Sequence, residues 1–160
     1  IGTASGGTLL IWSAVTSEEV ITCDLQDPTY RQKLYGRLAP PGSTCRITLL
    51  GGNSHDKAFN QRVRQAVAGR PVDFLFIDGD HTAEGVTADY RDYKDLVRPG
   101  GIIAFHDILE SQPLPTNQVF ELWKKLREIV PVEEYVAGPG QCGFGIGIMR
   151  VPEGGAPDVP

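Results

Sequence analysis

Five residues in two short stretches carry side chains suited to acid–base or metal chemistry: Asp78, Asp80 and His81 in one, His106 and Asp107 in the other. Carboxylates and imidazoles so closely spaced can hold a divalent cation or place a base beside a hydroxyl group. What precedes them matters equally. Phe74 to Ile77 is an apolar run that ends abruptly in Asp78-Gly-Asp-His81, and Gly101-Ile-Ile-Ala-Phe105 runs into His106-Asp107 in the same way. Runs that apolar, and too short for helices, predict parallel strands, the first of them central and covered on both faces. Ligands of open α/β sheets bind at the carboxyl ends of such strands.

Elements that would position these residues follow in order. Ile1-Gly-Thr-Ala-Ser-Gly-Gly-Thr8 predicts a strand end, a glycine turn and a helix starting near Ser5 or Gly6. Gly2, Ser5 and Gly6 would let a ligand approach backbone N–H groups at the helix start, although a purely structural turn fits equally well. Glu19 to Asp24 reads as a strand whose terminal acid stands where nucleotide-binding folds hold a ribose; the plainer alternative is a turn aspartate. Asp27-Pro28 starts a helix through Tyr30, Leu34 and Leu38, stopped by Pro40-Pro41-Gly42. A third strand, Cys45 to Leu50, leads to Asn53 and Ser54, candidates for an adenine edge, with His55 as a loop histidine and Asp56 as a helix cap. Phe59, Val63 and Val67 repeat at helical spacing, as do Val86, Tyr90, Tyr93 and Val97 in a helix from Thr82 to Val97.

Beyond the second cluster, Glu110 to Thr116 is a proline-bearing loop, either a substrate lid or a passive connector. Asn117 to Val130 is amphipathic, and Val132 to Val136 with Gly143 to Met149 predicts a closing antiparallel pair. Alternating strands and helices give the fold class: α/β, a Rossmann-like doubly wound, mostly parallel sheet with an antiparallel C-terminal strand. One domain over 1–151 is expected, then a disordered Pro/Gly-rich tail over 152–160. The chain opens inside a motif at Ile1, which predicts natural sequence before it.

Composition excludes several classes. At 41% hydrophobic, 22% charged and net charge −5, the 160 residues have no basic stripe for a nucleic-acid backbone and no run of membrane-spanning length. Lys124, Lys125 and Arg127 read as a solvated helix face. Cys23, Cys45 and Cys142 read as buried small hydrophobes in a reducing, cytoplasmic setting rather than disulfides. The helices with Trp12 and Trp123 suit buried core, with a homo-oligomer contact as the alternative.

Taken together, Ile1-Gly-Thr-Ala-Ser-Gly-Gly7, Phe74-Leu-Phe-Ile-Asp-Gly-Asp-His81, Arg98-Pro-Gly-Gly-Ile-Ile-Ala-Phe-His-Asp107 and Gly143-Phe-Gly-Ile-Gly-Ile148 resemble the class I S-adenosylmethionine-dependent methyltransferases. Within them the chain is similar to the small-molecule O-methyltransferases of the macrolide-sugar, rhamnosyl and catechol type, some historically named cephalosporin hydroxylase. The resemblance implies a seven-stranded sheet and S-adenosylmethionine over Gly2, Ser5 and Gly6, with Asp24 on the ribose and Asn53-Ser54 at the adenine. It implies a divalent metal (Mg or Mn) on Asp78, which also counts among the cofactor-side residues, and on Asp107. His106 stands where relatives usually carry an acid; imidazole suits Mn, Fe, Ni or Zn better than Mg, so His106 as a ligand to a softer metal, a water-completed shell or a metal-free site all stay open. His81 is implied as general base, with Asp80 competing. The acceptor would be a small molecule bearing a hydroxyl, of sugar or natural-product type.

Three alternatives compete. Asp78, His81 and His106 also match a two-His-one-carboxylate iron oxygenase, which usually sits on an antiparallel barrel. A nicotinamide oxidoreductase would show G-x-G-x-x-G, which is missing from the glycine turn. A non-catalytic cofactor-binding domain is the third.

Overall fold

The computed structural model describes residues 1–159, which form two compact units, Ile1–Arg70 and the remainder from Pro71. In the first unit, Gly6 caps helix α1 (Gly7–Val15), followed by β1 (Glu19–Asp24), a 3-10 turn (Pro28–Arg31) and α2 (Gln32–Tyr35). Strand β2 (Arg46–Gly51) and helix α3 (Lys57–Val67) complete it. β1 and β2 pair in parallel, from Glu19 beside Arg46 to Asp24 beside Gly51. Buried Leu9, Tyr35 and Leu49 form the core, with Val20, Leu38 and Ile47 packed against them. Asp27 caps as expected, its Oδ1 accepting from Thr29 N at 2.9 Å. The helix stops at Tyr35 rather than Leu38. The N–H of Gly36 returns to Gln32 O, and Leu38 turns inward to the core ahead of the prolines.

Glu19 ties this unit together from the first residue of β1. Its carboxylate accepts from Arg46 Nη2 at 2.9 Å, from Thr48 Oγ1 at 2.6 Å and from Arg70 Nη2, and its side chain is 9% exposed. Burial alone would raise its pKa, but the bonds from Thr48 and the two arginines outweigh that and hold it at about 2. A carboxyl depressed below its ordinary 4.5 stabilises the fold above pH 4.5 and loses that contribution as pH falls toward 2. Glu19→Ala is expected to cost about 1–2 kcal/mol near neutral pH, after allowing for screening at the exposed arginines. Urea denaturation should read that difference, and read it vanishing as pH falls toward 2.

The second unit contains β3 (Val72–Ile77), α4 (Ala83–Tyr93), β4 (Val97–His106), α5 (Val119–Ile129), β5 (Val132–Tyr135) and β6 (Ile146–Arg150). Its sheet runs β3-β4-β6-β5: β3 and β4 are parallel, and β6 lies antiparallel to both β4 and β5. This is the mixed α/β architecture with an antiparallel closing strand. Two details differ from expectation. β3 is an edge strand of this sheet, and Ile77 alone among its residues is fully buried. Six strands in two sheets, not one seven-stranded sheet, are present among the described residues; Ile1–Thr3 adds one backbone bond, Gly2 N to Cys23 O at 2.8 Å, and no ladder.

The helix stripe predicted on α4 is buried in full: Val86, Tyr90 and Tyr93, then Val97 where β4 begins. A chain of tilted rings, Tyr90 to Phe105 at 5.9 Å and Phe105 to Trp123 at 5.7 Å, joins both helices to β4. Trp123 packs against Gly147, where a Cβ would come within 2.4 Å of the indole, so β6 requires glycine there. Trp123 is thus core rather than contact surface. Residues 152–159, where composition predicts disorder, make defined contacts with α4 and the residue that follows it: Tyr90 Oη donates to Pro157 O at 2.8 Å and Lys94 Nζ to Ala156 O at 2.8 Å. Pro160 of that tail lies outside the described residues. The cysteines are mixed rather than uniformly buried: Cys23 is buried, Cys45 half-buried and Cys142 exposed, with no disulfide among the described residues. No described helix is long and apolar enough to cross a membrane.

Candidate active site

In the first unit the glycine turn is held from two sides. Asp24 Oδ2 accepts from both Thr3 N and Ala4 N at 2.9 Å, and its Oδ1 accepts from Gln26 N at 2.8 Å. Tyr35 Oη donates to Ala4 O at 3.2 Å, and Arg31 Nη1 donates to Tyr35 Oη at 3.0 Å. The turn passes through left-handed backbone at Gly2, Ala4 and Gly6, and a Cβ on Gly6 would meet the Tyr35 ring at 2.7 Å. Gly2, Ser5, Gly6 and Asp24 are therefore gathered at one end of β1. A carboxylate has about four lone-pair positions, so these bonds leave Asp24 capacity for another donor. Tyr35, read from the sequence only as part of a helix, supports the turn; nothing in its spacing reveals that. Asn53 spends its side chain locally, Oδ1 accepting from His55 N at 3.0 Å, and Ser54 follows it in the turn before α3.

In the second unit the register of the two parallel strands builds the cluster. Ile77 pairs with Phe105, which brings the next residues, Asp78 and His106, together. His81 Nε2 stands 3.2 Å from Asp78 Oδ1, and its Nδ1 stands 3.2 Å from Asp107 Oδ2. His106 Nδ1 is buried and lies 3.2 Å from both Asp78 Oδ1 and Asp107 Oδ1, aligned for a well-directed hydrogen bond with neither. Asp78, His81 and Asp107 can each offer one ligand atom, all within 4.8 Å of one another.

Electrostatics couple these groups. Burial works against the Asp78 carboxylate, yet the His106 and His81 imidazoles, each 3.2 Å from its Oδ1, hold its pKa at about 2. Both imidazoles are pushed above their ordinary 6.5, chiefly by the Asp78 carboxylate beside them and against the opposing effect of burial. Asp80 is occupied elsewhere: its Oδ1 accepts from Thr82 N at 2.9 Å, and its carboxyl lies over the first turn of α4 so closely that a Cβ on Gly85 would overlap it.

Two residues that the sequence did not single out complete the cluster. Asn117 Nδ2 donates to Asp107 Oδ2 at 2.6 Å and lies 3.3 Å from His81 Nδ1. Phe144 places its ring centroid 6.0 Å from that of His106. Both arrive from loops distant in sequence, where no local signal marks them. The loop over 110–116 is tied to the end of β4 through Gln112 Nε2, which donates to Asp107 O at 3.0 Å and Leu109 O at 2.7 Å.

The donor chemistry fits a divalent ion. Two carboxylates converge with His81, and a poorly aligned buried His106 Nδ1 points between them, a set better suited to borderline transition metals than to Mg²⁺.

The family described as a methyltransferase domain matches residues 1–108, all of the first unit and the opening part of the second. Among solved structures, the chain is similar to the MycE methyltransferase from the mycinamycin biosynthetic pathway in complex with Mg, SAH and mycinamycin VI, at 17% identity and TM-score 0.56, covering 89% of this chain and 39% of that one. CalS11, a TDP-rhamnose 3'-O-methyltransferase of calicheamicin biosynthesis, aligns at 12% identity and TM-score 0.59, covering 88% and 66%. An O-methyltransferase from Bacillus cereus in complex with SAH aligns at 14% identity and TM-score 0.50, covering 89% and 77%. The chain thus spans about two fifths of the mycinamycin enzyme's length. No curated protein matches it in sequence.

Proposed function

Since the chain belongs to the methyltransferase domain family, we propose that it is an S-adenosylmethionine-dependent O-methyltransferase acting on a hydroxyl of a small molecule, of sugar or natural-product type, with a divalent metal. The observation that carries the chemistry is the meeting of Asp78, His81 and Asp107 at adjoining strand ends. Support for the cofactor and metal comes from relatives of the same fold that were solved with SAH and Mg, and support for the acceptor class from the sugar 3'-O-methyltransferase. The oxygenase and non-catalytic alternatives have no comparable support.

S-adenosylmethionine, when bound, supplies a methyl group on a sulfonium and leaves as S-adenosylhomocysteine. Gly2, Ser5 and Gly6 would present backbone N–H groups to it at the start of α1, and Asp24 would accept from its ribose. Asn53 and Ser54 would face the adenine, and Asp78 would serve both cofactor and metal sides. A metal would be held by Asp78, Asp107 and His81 or His106, and would lower the pKa of a hydroxyl placed on it. His81 is the favoured base: it is partly exposed, Asp107 orients its ring through Nδ1, and with Asp78 engaged by a metal its Nε2 would be free to accept the proton. Proton transfer to His81 leaves the acceptor oxygen its electron pair for the new bond to carbon. Asp80, engaged at the start of α4, is the weaker candidate.

Calorimetric titration with S-adenosylhomocysteine tests this reading. Binding in the micromolar range, weakened about tenfold or more in Asp24→Ala, is expected from the loss of charge-assisted hydrogen bonds. Absence of heat in a folded wild-type sample would overturn it.

A further inference from the structure

Phe144 combines two unfavourable features. Its side chain is 60% exposed, and its φ of 61° puts a bulky residue in the left-handed region. For a non-glycine residue that conformation is strained, and such strain concentrates where function requires a fixed geometry.

The surroundings show that the turn is built rather than loose. Gly143, Phe144 and Gly145 form three consecutive left-handed residues, with φ of 74°, 61° and 82°. Gly143 N donates to Ser111 O, and Gly145 O accepts from Asp107 N at 2.9 Å. Both glycines are buried. A Cβ on Gly143 would strike Pro113 at 2.7 Å, and one on Gly145 would press on Val136 and Ile108 at 3.1 and 3.2 Å. Neighbours thus clamp the backbone on both sides of an aromatic ring that itself points outward. The backbone bond to Asp107 ties the turn to the acidic cluster, and the Phe144 ring lies at 56° to the His106 imidazole.

We infer that Phe144 is a specificity-determining residue: its ring is the apolar wall against which the acceptor lies while the acceptor's hydroxyl reaches the Asp78–His81–Asp107 cluster. The inference rests on the O-methyltransferase reading and narrows its acceptor. A ring face suits a six-membered ring carrying a hydroxyl, whether a pyranose offering axial C–H groups or a phenol offering a π-face, and it gives nothing to an acyclic polyol. The carboxylates and imidazoles take the polar edge; Phe144 takes the face.

The test uses ligand-observed saturation-transfer NMR on the chain with S-adenosylhomocysteine and MgCl₂ or MnCl₂ omitted in turn. Catechol, methyl α-rhamnoside and glycerol serve as probes. Phe144→Gly relieves the left-handed strain, so it should fold at least as well as wild type, and Phe144→Leu keeps apolar bulk without the ring. Expected are transfer to ring C–H protons of catechol, the rhamnoside or both in wild type, with none to glycerol, and binding about fivefold to tenfold weaker in Phe144→Gly. Leu should retain pyranoside binding better than catechol binding, which separates the two acceptor sources. Unchanged S-adenosylhomocysteine affinity in both variants would place the effect on the acceptor side. No ring-selective binding by wild type, or equal binding by wild type and Phe144→Gly, overturns the inference. Failure of wild type to bind S-adenosylhomocysteine instead overturns the methyltransferase reading.

Discussion

Replacing His81 by Gln is expected to lower kcat about 10²–10⁴-fold while S-adenosylhomocysteine affinity changes less than about twofold. Glutamine keeps hydrogen-bonding capacity toward Asp78 and Asp107 but cannot accept a proton at neutral pH. The backbone should hold, because the His81 carbonyl accepts from Gln118 N at 2.7 Å and the substitution leaves that bond untouched. Direction with pH follows from the raised pKa. A base must be neutral to act, so the wild-type rate should climb through a limb displaced above 6.5 in the absence of metal. A bound cation would neutralise the carboxylates that raise this pKa and shift the limb to lower pH. Steady-state kinetics across pH, with and without MnCl₂, reads both effects. If His81→Gln kept its kcat but needed far more metal, His81 would be a ligand and not the base. Asp80→Asn is the comparison variant, and its effect should be small because Asp80 serves the start of α4.

Asp78→Asn should produce the largest combined loss, about 10³-fold or more in activity together with a change in the pH dependence of stability. In the metal-free chain Asp78 lies 3.2 Å from one nitrogen of His81 and of His106. Its carboxyl, lowered from 3.8 to about 2, contributes stability above pH 3.8 that disappears as pH falls toward 2. The two imidazoles, raised above 6.5, contribute stability present below pH 6.5 that disappears as pH rises through their folded pKa values. The metal-free wild type should therefore melt highest between these limits, from pH 3.8 to 6.5 as far as this cluster is concerned. Metal reverses the upper limb, because a divalent ion needs neutral imidazole and ionised carboxylate. Thermal melts at rising pH, in chelator and in MnCl₂, should diverge increasingly in wild type and coincide in Asp78→Asn. Melting curves that coincide in wild type at every pH would refute metal binding at this cluster.

Several elements were legible because their causes are local. The alternation of apolar runs and helical stripes located β1, β3, α3 and α4, and the sharp change at Ile77–Asp78 marked where polar residues would emerge. The meeting of Asp78 with His106 and Asp107 follows from parallel pairing, a pattern the two matching strand ends already imply. What escaped depends on tertiary placement. Asn117 reaches Asp107 only through the fold of the loop over 110–116, and Phe144 reaches His106 only because Gly143 to Gly145, expected as the start of the closing strand, instead form three left-handed residues before β6 begins at Ile146. Asp80 has the right residue type and neighbourhood for a base, but the start of α4 claims it first. Helix α2 was read too long because the leucine at position 38 keeps helical spacing while packing from a turn. Cys142 has the side chain of a buried hydrophobe but lies in an exposed loop, where burial is decided by the path of the backbone.

The pairing of Ile77 with Phe105 also sets which changes in length this fold tolerates. A deletion of one residue between Gly101 and Phe105 would turn the imidazole of position 106 to the opposite side of the sheet and withdraw Asp107 from Asp78, because side chains alternate along a strand. Lengthening the loop over 110–116 disturbs no ladder. Change is therefore channelled. Insertions can be absorbed in that loop while the strand lengths must stay fixed, so the polar centre at the strand ends can persist unaltered when the loop beside it changes.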